Sequence, residues 1–198
     1  MFLAKIGVVN AEKQKQKQDF FYQQYLDGDL NIIEFCEYQF EVLAHTPKPT
    51  LDAWHRRFME DMIEPMIRSG KASLLEKHRE AGDELIIITA TNDFVTTPIA
   101  QRLNVPNILA TTAEFDGEKF TGKVAGTPCF QEGKIERLRQ FLSATGRELD
   151  SQQLKDSYFY SDSINDLPLL DLVDTPVAVT PDEKLRRHAA DQGWDIID

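Results

Sequence analysis

Residues 158–166 have the sequence YFYSDSIND, in which a short apolar run leads directly into two aspartates, Asp162 and Asp166. Residues 85–92, LIIITATN, pass in the same way from four apolar residues to Thr89. Wholly apolar runs of this length that alternate with helical segments are typical of parallel strands covered on both faces. These two stretches therefore predict an α/β fold built on a parallel sheet.

The same alternation extends outward from these stretches over residues 69–198, which are expected to form the α/β core. Strands are predicted at residues 85–88, 108–112, 158–160, 177–179 and 194–197. Helices are predicted at residues 72–81, 94–103, 134–143 and 182–190. Asp116-Gly117, flanked by two phenylalanines, indicates a tight hairpin turn.

Residues 1–68 show helical periodicity without a clear strand and predict a helical cap subdomain. Three helices are expected after residue 10. The first covers residues 11–26 and stops at Gly28, the second is capped by Asp29, and the third is capped by Thr50 and ends near Pro65. The second helix carries an apolar stripe at helical spacing, formed by Ile32, Cys36, Phe40 and Leu43.

Composition limits the classes of partner. The chain has 198 residues, is 41% hydrophobic, and has a net charge of −11, which would repel a nucleic acid backbone. It contains neither an apolar run of about eighteen residues nor a signal-peptide pattern, so we expect a cytoplasmic protein without a membrane partner. Cys36 and Cys129 belong to no metal or redox motif and are predicted to be buried, unpaired thiols. The four histidines lack the spacing of a zinc site.

Ligands of open α/β sheets bind beyond the carboxyl ends of the strands, so polar residues at predicted strand ends are candidates for chemistry. The Thr89 hydroxyl and the backbone N–H of Ala90 would suit an anion, although Thr89 could simply cap the next helix. Asp162 and Asp166 would suit Mg²⁺, or Asp166 could lie in the first turn of a capped helix. Lys134, after Gly133, could reach a phosphate or be solvated.

The order of these elements carries more information than each element does alone. A strand leading to Thr89, then Gly133-Lys134, then a strand leading to Asp162, Asn165 and Asp166, resembles the second, third and fourth motifs of haloacid-dehalogenase-type phosphatases. Residues 113–134 are similar to the subfamily that includes phosphoserine phosphatase.

The resemblance implies a Rossmann-like core and a Mg²⁺-dependent hydrolase that acts on a small phosphorylated metabolite through an aspartyl-phosphate. Thr89 and Lys134 would then be catalytic. Thr89, Ala90 and Asn165 would bind phosphate or substrate, and Asp162 and Asp166 would bind the metal, Asp166 either directly or by supporting another ligand.

The family's first motif, Asp-x-Asp-x-Thr, supplies the nucleophile and does not occur in this sequence. Asp27-Gly28-Asp29 follows a polar, aromatic helix and is interpreted as a turn. Residues 1–9 resemble the stretch of cap helix that follows the first motif in the family. We therefore expect that about twenty residues, which include the strand that carries this motif, are absent upstream. Loss of this central strand would leave the chain unstable or prone to self-association.

Substrate choice is indicated only by the cap. Phosphoserine phosphatases carry an arginine on the cap helix that holds the substrate carboxylate, whereas residues 34–39 of this chain contain none. The acidic residues Glu34 or Glu37 would instead favour an amine-bearing substrate such as an amino-alcohol phosphate. Arg56 and Arg57 are alternative cations or surface ion-pair partners. Two other hypotheses remain: a catalytically inactive phosphate- or metal-binding remnant of the same fold, and an unrelated α/β binding module.

Overall fold

The computed structural model describes residues 2–69, 73–150 and 154–198. Its helices are α1 Phe2–Lys5, α2 Ala11–Asp27, α3 Ile32–Ala44, α4 Lys48–Phe58, α5 Glu64–Ser69, α6 Ser73–Ala81, α7 Asp93–Arg102, α8 Glu132–Ala144, α9 Leu167–Leu170 and α10 Glu183–Gln192. Its strands are β1 Ile86–Asn92, β2 Asn107–Phe115, β3 Phe120–Ala125, β4 Tyr158–Ser161, β5 Thr175–Val179 and β6 Asp195–Ile197. The start predicted for α6, Ala72, lies outside the described residues. No described helix is long and apolar enough to cross a membrane.

The first predicted helix is confirmed as α2, which ends at Gly28 in the left-handed conformation with φ 85°. The cap predicted for the second helix is wrong. Asn31, not Asp29, precedes α3, and its side chain accepts a hydrogen bond from the Glu34 N–H at 3.2 Å. Asn31 is the residue directly before the first helical turn, the position from which a side chain reaches the free N–H groups.

The third helix also begins and ends differently from the prediction. It starts at Lys48 after Pro47, so Thr50 lies inside the first turn and is not the cap. Pro65 does not end the helical segment, because a π-helical turn, Met59–Ile63, leads into α5. The ring of a proline crowds the carbonyl four residues earlier, and for Pro65 that carbonyl belongs to Asp61, inside the π turn.

The predicted apolar stripe of α3 forms a core with the β2–β3 hairpin. Cys36, Phe40 and Leu43 are all at most 5% exposed. They pack with Leu51, Ala113 and Phe120, and Ile32 contacts the same cluster. Each large side chain buried in this way contributes about 1.5–3 kcal/mol.

The strands of the described residues form two three-stranded sheets, in the orders β1-β2-β3 and β4-β5-β6. The second sheet is parallel, with Tyr160 opposite Val177 and Ala178 opposite Ile196. The predicted hairpin is confirmed as the antiparallel pair β2–β3, whose turn is closed by the Asp116 carboxylate. The α/β class with a parallel sheet is therefore confirmed.

Strand β1 is longer than predicted. It runs to Asn92, so Thr89 and Ala90 lie within the strand and not beyond its end. Helix α7 follows at once, and its cap is Asn92, whose side chain accepts from the Val95 N–H at 3.0 Å. The alternative in which Thr89 caps this helix is therefore wrong, because the strand separates it from the first turn.

The chain divides into two compact units. One contains the residues up to Ile87 together with Thr91–Gly126, and the other contains Ile88–Ala90 and Thr127–Asp198. Thr89, Ala90, Lys134, Asp162, Asn165 and Asp166 all belong to the second unit. The boundary between a cap and a core at residues 68 and 69 stays a prediction.

Candidate functional site

A buried ion pair lies at the centre of the second unit. The Lys134 ammonium group donates to Oδ1 of Asp166 at 2.5 Å, and the two side chains are only 7% and 11% exposed. Lys134 lies in the first turn of α8, and Asp166 closes a short 3₁₀ turn, Ile164–Asp166, after β4. The alternative of a solvated lysine is therefore wrong. Asp166 does lie in the first turn of this capped 3₁₀ helix, as the other alternative for this residue predicted, but the cap is Ser163 and not an aspartate.

The second oxygen of Asp166 is also bound. Ser161, the last residue of β4, donates its hydroxyl to Oδ2 at 2.6 Å. The Ser161 hydroxyl in turn accepts from the Ser163 N–H at 3.2 Å. Both carboxylate oxygens of Asp166 thus have fixed partners, which orients the group and compensates its burial.

The turn that carries Asp162 and Asn165 is held at several points. The Asn165 N–H donates to the Ser163 hydroxyl at 3.2 Å, and the Ile164 N–H donates to Oδ2 of Asp182 at 2.8 Å. Asp182 also caps α10 through its other oxygen. Asn165 is 6% exposed, whereas Asp162 is exposed to solvent.

Position 133 requires a glycine because the backbone of Pro128 lies too close to leave room for a side chain. A Cβ atom at this position would lie 2.1 Å from the Pro128 carbonyl oxygen. The backbone N–H of Gly133 donates to the Phe130 carbonyl at 2.8 Å, which closes the loop just before Lys134. The Gly-Lys pair therefore starts α8 tightly enough to direct Lys134 inward.

Cys129 connects Thr89 with Lys134, because its thiol interacts with both residues. Burial raises the pKa of the Cys129 thiol, while the charge of Lys134 and a hydrogen bond with the Thr89 backbone act in the opposite direction. Cys129 is 0% exposed. Cys129 therefore links Thr89 to Lys134 and Asp166, and Asn165 and the exposed Asp162 belong to the turn that carries Asp166.

The acidic residues of this region fit Mg²⁺ only in part. Within the described residues, no group of three or more His, Cys, Asp or Glu side chains is placed to hold a metal ion. Mg²⁺ takes one or two carboxylates and keeps several waters. The exposed carboxylate of Asp162 fits the role of a Mg²⁺ ligand. Both oxygens of the Asp166 carboxylate are already hydrogen-bonded, so Asp166 fits the role of a residue that supports another ligand.

Two unpredicted residues make side-chain contacts with predicted ones. Ser161 binds Asp166, and the Gln131 side chain donates from Nε2 to Oδ1 of Asn165 at 3.1 Å. The position of Ser161, a hydroxyl between an apolar strand and Asp162, was a signal that could have been used. Gln131 carries no such signal, because its role depends on a contact across 34 residues.

The substrate-selecting residues proposed from the sequence lie in the first unit. Glu34 and Glu37 are both exposed on α3. Arg57 pairs with Asp61 at 3.2 Å, which supports its interpretation as a surface ion pair, and Arg56 is exposed. Asp27-Gly28-Asp29 is confirmed as a turn that ends α2.

Comparisons with known proteins give a consistent result. The model of the family described as haloacid dehalogenase-like hydrolase matches residues 11–171. The histidinol-phosphatase of Neisseria meningitidis is 40% identical over 197 residues, which cover 99% of this chain and 88% of that protein.

Two solved structures extend this result. A protein of unknown function from Bordetella pertussis superposes with a TM-score of 0.87 at 37% identity, and the match covers 100% of this chain and 88% of that one. A substrate-bound phosphoserine phosphatase superposes with a TM-score of 0.65 over 99% of this chain and 83% of that one. At 17% identity, this second likeness shows the fold alone.

Proposed function

We propose that this chain, which belongs to the haloacid dehalogenase-like hydrolase family, is a Mg²⁺-dependent phosphomonoesterase that acts on a small phosphorylated amino alcohol. Within the family it is a phosphoserine-phosphatase-like member and an enzyme of the phosphatase type. The observation that carries this proposal is the buried pair of Lys134 and Asp166 in the region that also contains Thr89. A buried cation held by one carboxylate is a suitable partner for a phosphate dianion.

Each residue of the second unit takes a role that its chemistry supports. Lys134 would neutralise charge on the phosphoryl group, and the Thr89 hydroxyl with the Ala90 N–H would hydrogen-bond its oxygens. Asn165 would orient the same group. Ser161 would hold Asp166 in place so that Lys134 stays directed at the site.

Asp162, supported by Asp166, would hold Mg²⁺. When bound, the ion would supply positive charge that stabilises a developing phosphoryl anion. The chain's own contribution is to present an exposed carboxylate at the end of β4 and to fix the turn behind it.

The proposed reaction needs a carboxylate nucleophile. A carboxylate oxygen would form a bond to phosphorus while the ester P–O bond breaks, and the leaving alkoxide would take a proton. Water would then hydrolyse the aspartyl-phosphate to inorganic phosphate and the free carboxylate. The Asp-x-Asp-x-Thr motif that would supply this group does not occur in the 198 residues.

The substrate class rests on the cap and on the relative. Glu34 and Glu37 present exposed carboxylates on α3, which suit an ammonium group better than a carboxylate. The relative from Neisseria meningitidis carries the name histidinol-phosphatase, and histidinol phosphate is an amino-alcohol phosphate. Histidinol phosphate is therefore the first substrate to test.

The test compares the 198-residue chain with a form extended upstream to the next in-frame start. Both are assayed for Mg²⁺-dependent phosphate release from histidinol phosphate, phosphoserine and a generic phosphomonoester. We expect activity only in the extended form, with histidinol phosphate preferred. Phosphoserine as the best substrate would overturn the substrate class, and activity of the 198 residues alone would overturn the account of the nucleophile.

A second candidate is a non-catalytic phosphate- or metal-binding protein, and the absence of the first motif from these residues favours it. It predicts that both forms fold and bind inorganic phosphate or Mg²⁺ without turnover. Activity of the extended form excludes this candidate.

A further inference from the structure

The turn after β4 is held partly by its own residues and partly by Asp182. The N–H groups of Ser163 and Asn165 donate to the hydroxyls of Ser161 and Ser163, both at 3.2 Å. The Ile164 N–H instead donates to Oδ2 of Asp182 at 2.8 Å, across 18 residues of sequence. Asp182 therefore joins this turn to the start of α10.

The backbone of Asp182 makes a second contact with the same turn. Its N–H donates to the carbonyl oxygen of Asp162 at 2.8 Å. The two contacts lie on either side of Ser163, and both lie beyond the last paired residues of β4 and β5, which are Ser161 and Ala178. Asp182 thus holds the backbone of Asp162 at the point where the pairing of β4 with β5 has ended.

Both oxygens of the Asp182 carboxylate are used, and they serve different elements. Oδ1 accepts from the Leu185 N–H at 2.8 Å and caps α10, whereas Oδ2 holds the Ile164 N–H. The cap alone requires a single acceptor, which asparagine and serine supply as well as aspartate does. An asparagine would place its NH₂ group where the second oxygen stands, and a donor there would face the N–H of the turn. The second contact therefore accounts for an aspartate at this position.

The loop that leads to Asp182 carries backbone strain. Thr180 has a φ of 43°, although a β-branched residue rarely adopts the left-handed region. Its N–H donates to the Ile197 carbonyl at 2.6 Å, which ties the loop to β6. A conformation of this kind persists only where the surroundings hold it, and such residues are concentrated at functional sites. The loop therefore turns at an energetic cost just before the residue that holds the Asp162 turn.

We propose that Asp182 is a positioning residue for Mg²⁺ binding, because it fixes the turn that presents the exposed carboxylate of Asp162 before the ion binds. This inference rests on the proposed function, in which Asp162 holds Mg²⁺. Ordering a backbone segment costs conformational entropy, so a turn that is already ordered binds an ion more tightly than one that is ordered only on binding. Asp182 acts through the turn, since both its oxygens are held by N–H groups.

The experiment titrates the 198-residue chain with MgCl₂ and follows the nitrogen-15 amide signals of residues 162–166, which give the dissociation constant. Asp182→Ser keeps one acceptor for the cap and offers no second oxygen, and Asp182→Ala removes both acceptors. Glu183→Gln is the matched control, because it removes one carboxylate charge from the next residue, whose exposed side chain pairs with Arg187. Asp162→Asn tests the proposed metal ligand itself.

We expect Asp182→Ser and Asp182→Ala to weaken Mg²⁺ binding about tenfold, the lower end of the range for residues that support a metal ligand. Glu183→Gln should weaken it less than about twofold, because the effect of an exposed charge is screened by salt. Binding of inorganic phosphate should be unchanged in these three variants, since Lys134 is held by Asp166, whose second oxygen is held by Ser161.

A ligand-free measurement tests the contact itself. Hydrogen exchange of the Ile164 N–H should be about tenfold faster in Asp182→Ala than in the unchanged chain, because its acceptor is lost. Exchange of the Leu138 N–H, in the middle of α8, should be the same in both chains, which shows that the second unit as a whole is not loosened. An unchanged exchange rate at Ile164 would overturn the inference.

The possible failures are distinguishable. If both variants at position 182 bind Mg²⁺ as Glu183→Gln does, the positioning role is wrong and the proposed function stands. If phosphate binding weakens as much as Mg²⁺ binding, Asp182 supports the fold in general and the inference is wrong. If the unchanged chain binds no Mg²⁺, or Asp162→Asn binds it equally well, the proposed role of Asp162 fails and the inference fails with it. Where Asp182→Ala does not fold, Asp182→Ser decides.

Discussion

Lys134 shows how much a single buried charge depends on its partner. An ammonium group loses several kcal/mol of hydration when it is buried, and Asp166 at 2.5 Å compensates this loss. The ring of Phe159, whose centroid is 5.7 Å from Nζ, adds a favourable face. The stability of the pair therefore resides in both partners together.

Lys134→Met should lower the free energy of unfolding by about 3–5 kcal/mol, because it leaves the Asp166 carboxylate buried without a cation. The double variant Lys134→Met with Asp166→Leu should lose less, since no unpaired charge remains. Urea denaturation measures both. Arg187→Met is the control, because the pair of Arg187 with Glu183 is more than two-thirds exposed and should contribute under about 1 kcal/mol. Equal losses in Lys134→Met and the control would contradict this account.

Cys36 gives a prediction about pH. Burial, assisted by the charge of Glu37, raises the pKa of its thiol from 9.0 to about 11. The folded chain therefore holds this proton more tightly than the unfolded chain does. The resulting stability is fully present below about pH 9 and is lost as the pH rises towards 11, by about 2–3 kcal/mol in total.

The measurement compares urea unfolding of the unchanged chain and Cys36→Ala from about pH 7 to about pH 11 under reducing conditions. The advantage of the unchanged chain should shrink above about pH 9. Groups common to both chains cancel in this comparison. A difference that stays constant over the whole range would show that the thiol does not have a raised pKa.

At the scale of elements, helix caps determine where the segments begin. Asn10, Asn31, Asn92 and Asp182 each accept a hydrogen bond from an N–H group in the first turn of their helix. Asn92 differs from Asn10 and Asn31 because it is buried, at 5% exposure, and because its carbonyl also accepts from the Thr96 hydroxyl at 2.8 Å. Its side chain is therefore the most deeply buried of the three asparagine caps.

Asn92→Ala should destabilise the chain by about 1–2 kcal/mol, the upper part of the range for caps. Asn10→Ala, at an exposed cap, should cost about 0.5–1 kcal/mol. Thermal unfolding of the two variants in parallel measures the difference. A larger loss in Asn10→Ala would refute the importance of burial at Asn92.

At the scale of the whole molecule, the arrangement of strands has a consequence for association. Among the described strands, β1 and β3 stand at the ends of one strand order, and β4 and β6 stand at the ends of the other. Edge strands offer backbone groups to further strands. The net charge of −11 opposes contact between copies, and salt screens this repulsion.

The 198-residue chain should therefore self-associate as its concentration rises, and more so in about 0.5 M salt than at low salt. Tyr158→Lys, on the 46% exposed side chain of Tyr158 in β4, should reduce the association because a charge on an edge strand blocks pairing. Sedimentation velocity measures both effects. A monomer under all conditions would contradict the prediction.

The sequence by itself determined the features that depend on neighbours along the chain. Apolar runs predicted the strands, helical spacing predicted the stripe of α3, and Gly28 and Asp116-Gly117 marked a helix end and a hairpin. The order of Thr89, Lys134 and Asp162 also indicated the family. Periodicity and turn chemistry are local, and so they are visible in the sequence.

Tertiary structure decided the features that depend on contacts between distant segments. It selected Asn31 and Asn92 as caps, extended β1 through Thr89, and let the helical segment pass Pro65 by a π turn. The pairing of Lys134 with Asp166 and the conformation of Thr180 likewise arise from packing. A buried charge or a strained residue is tolerated only where its partners are fixed, and only the folded chain fixes them.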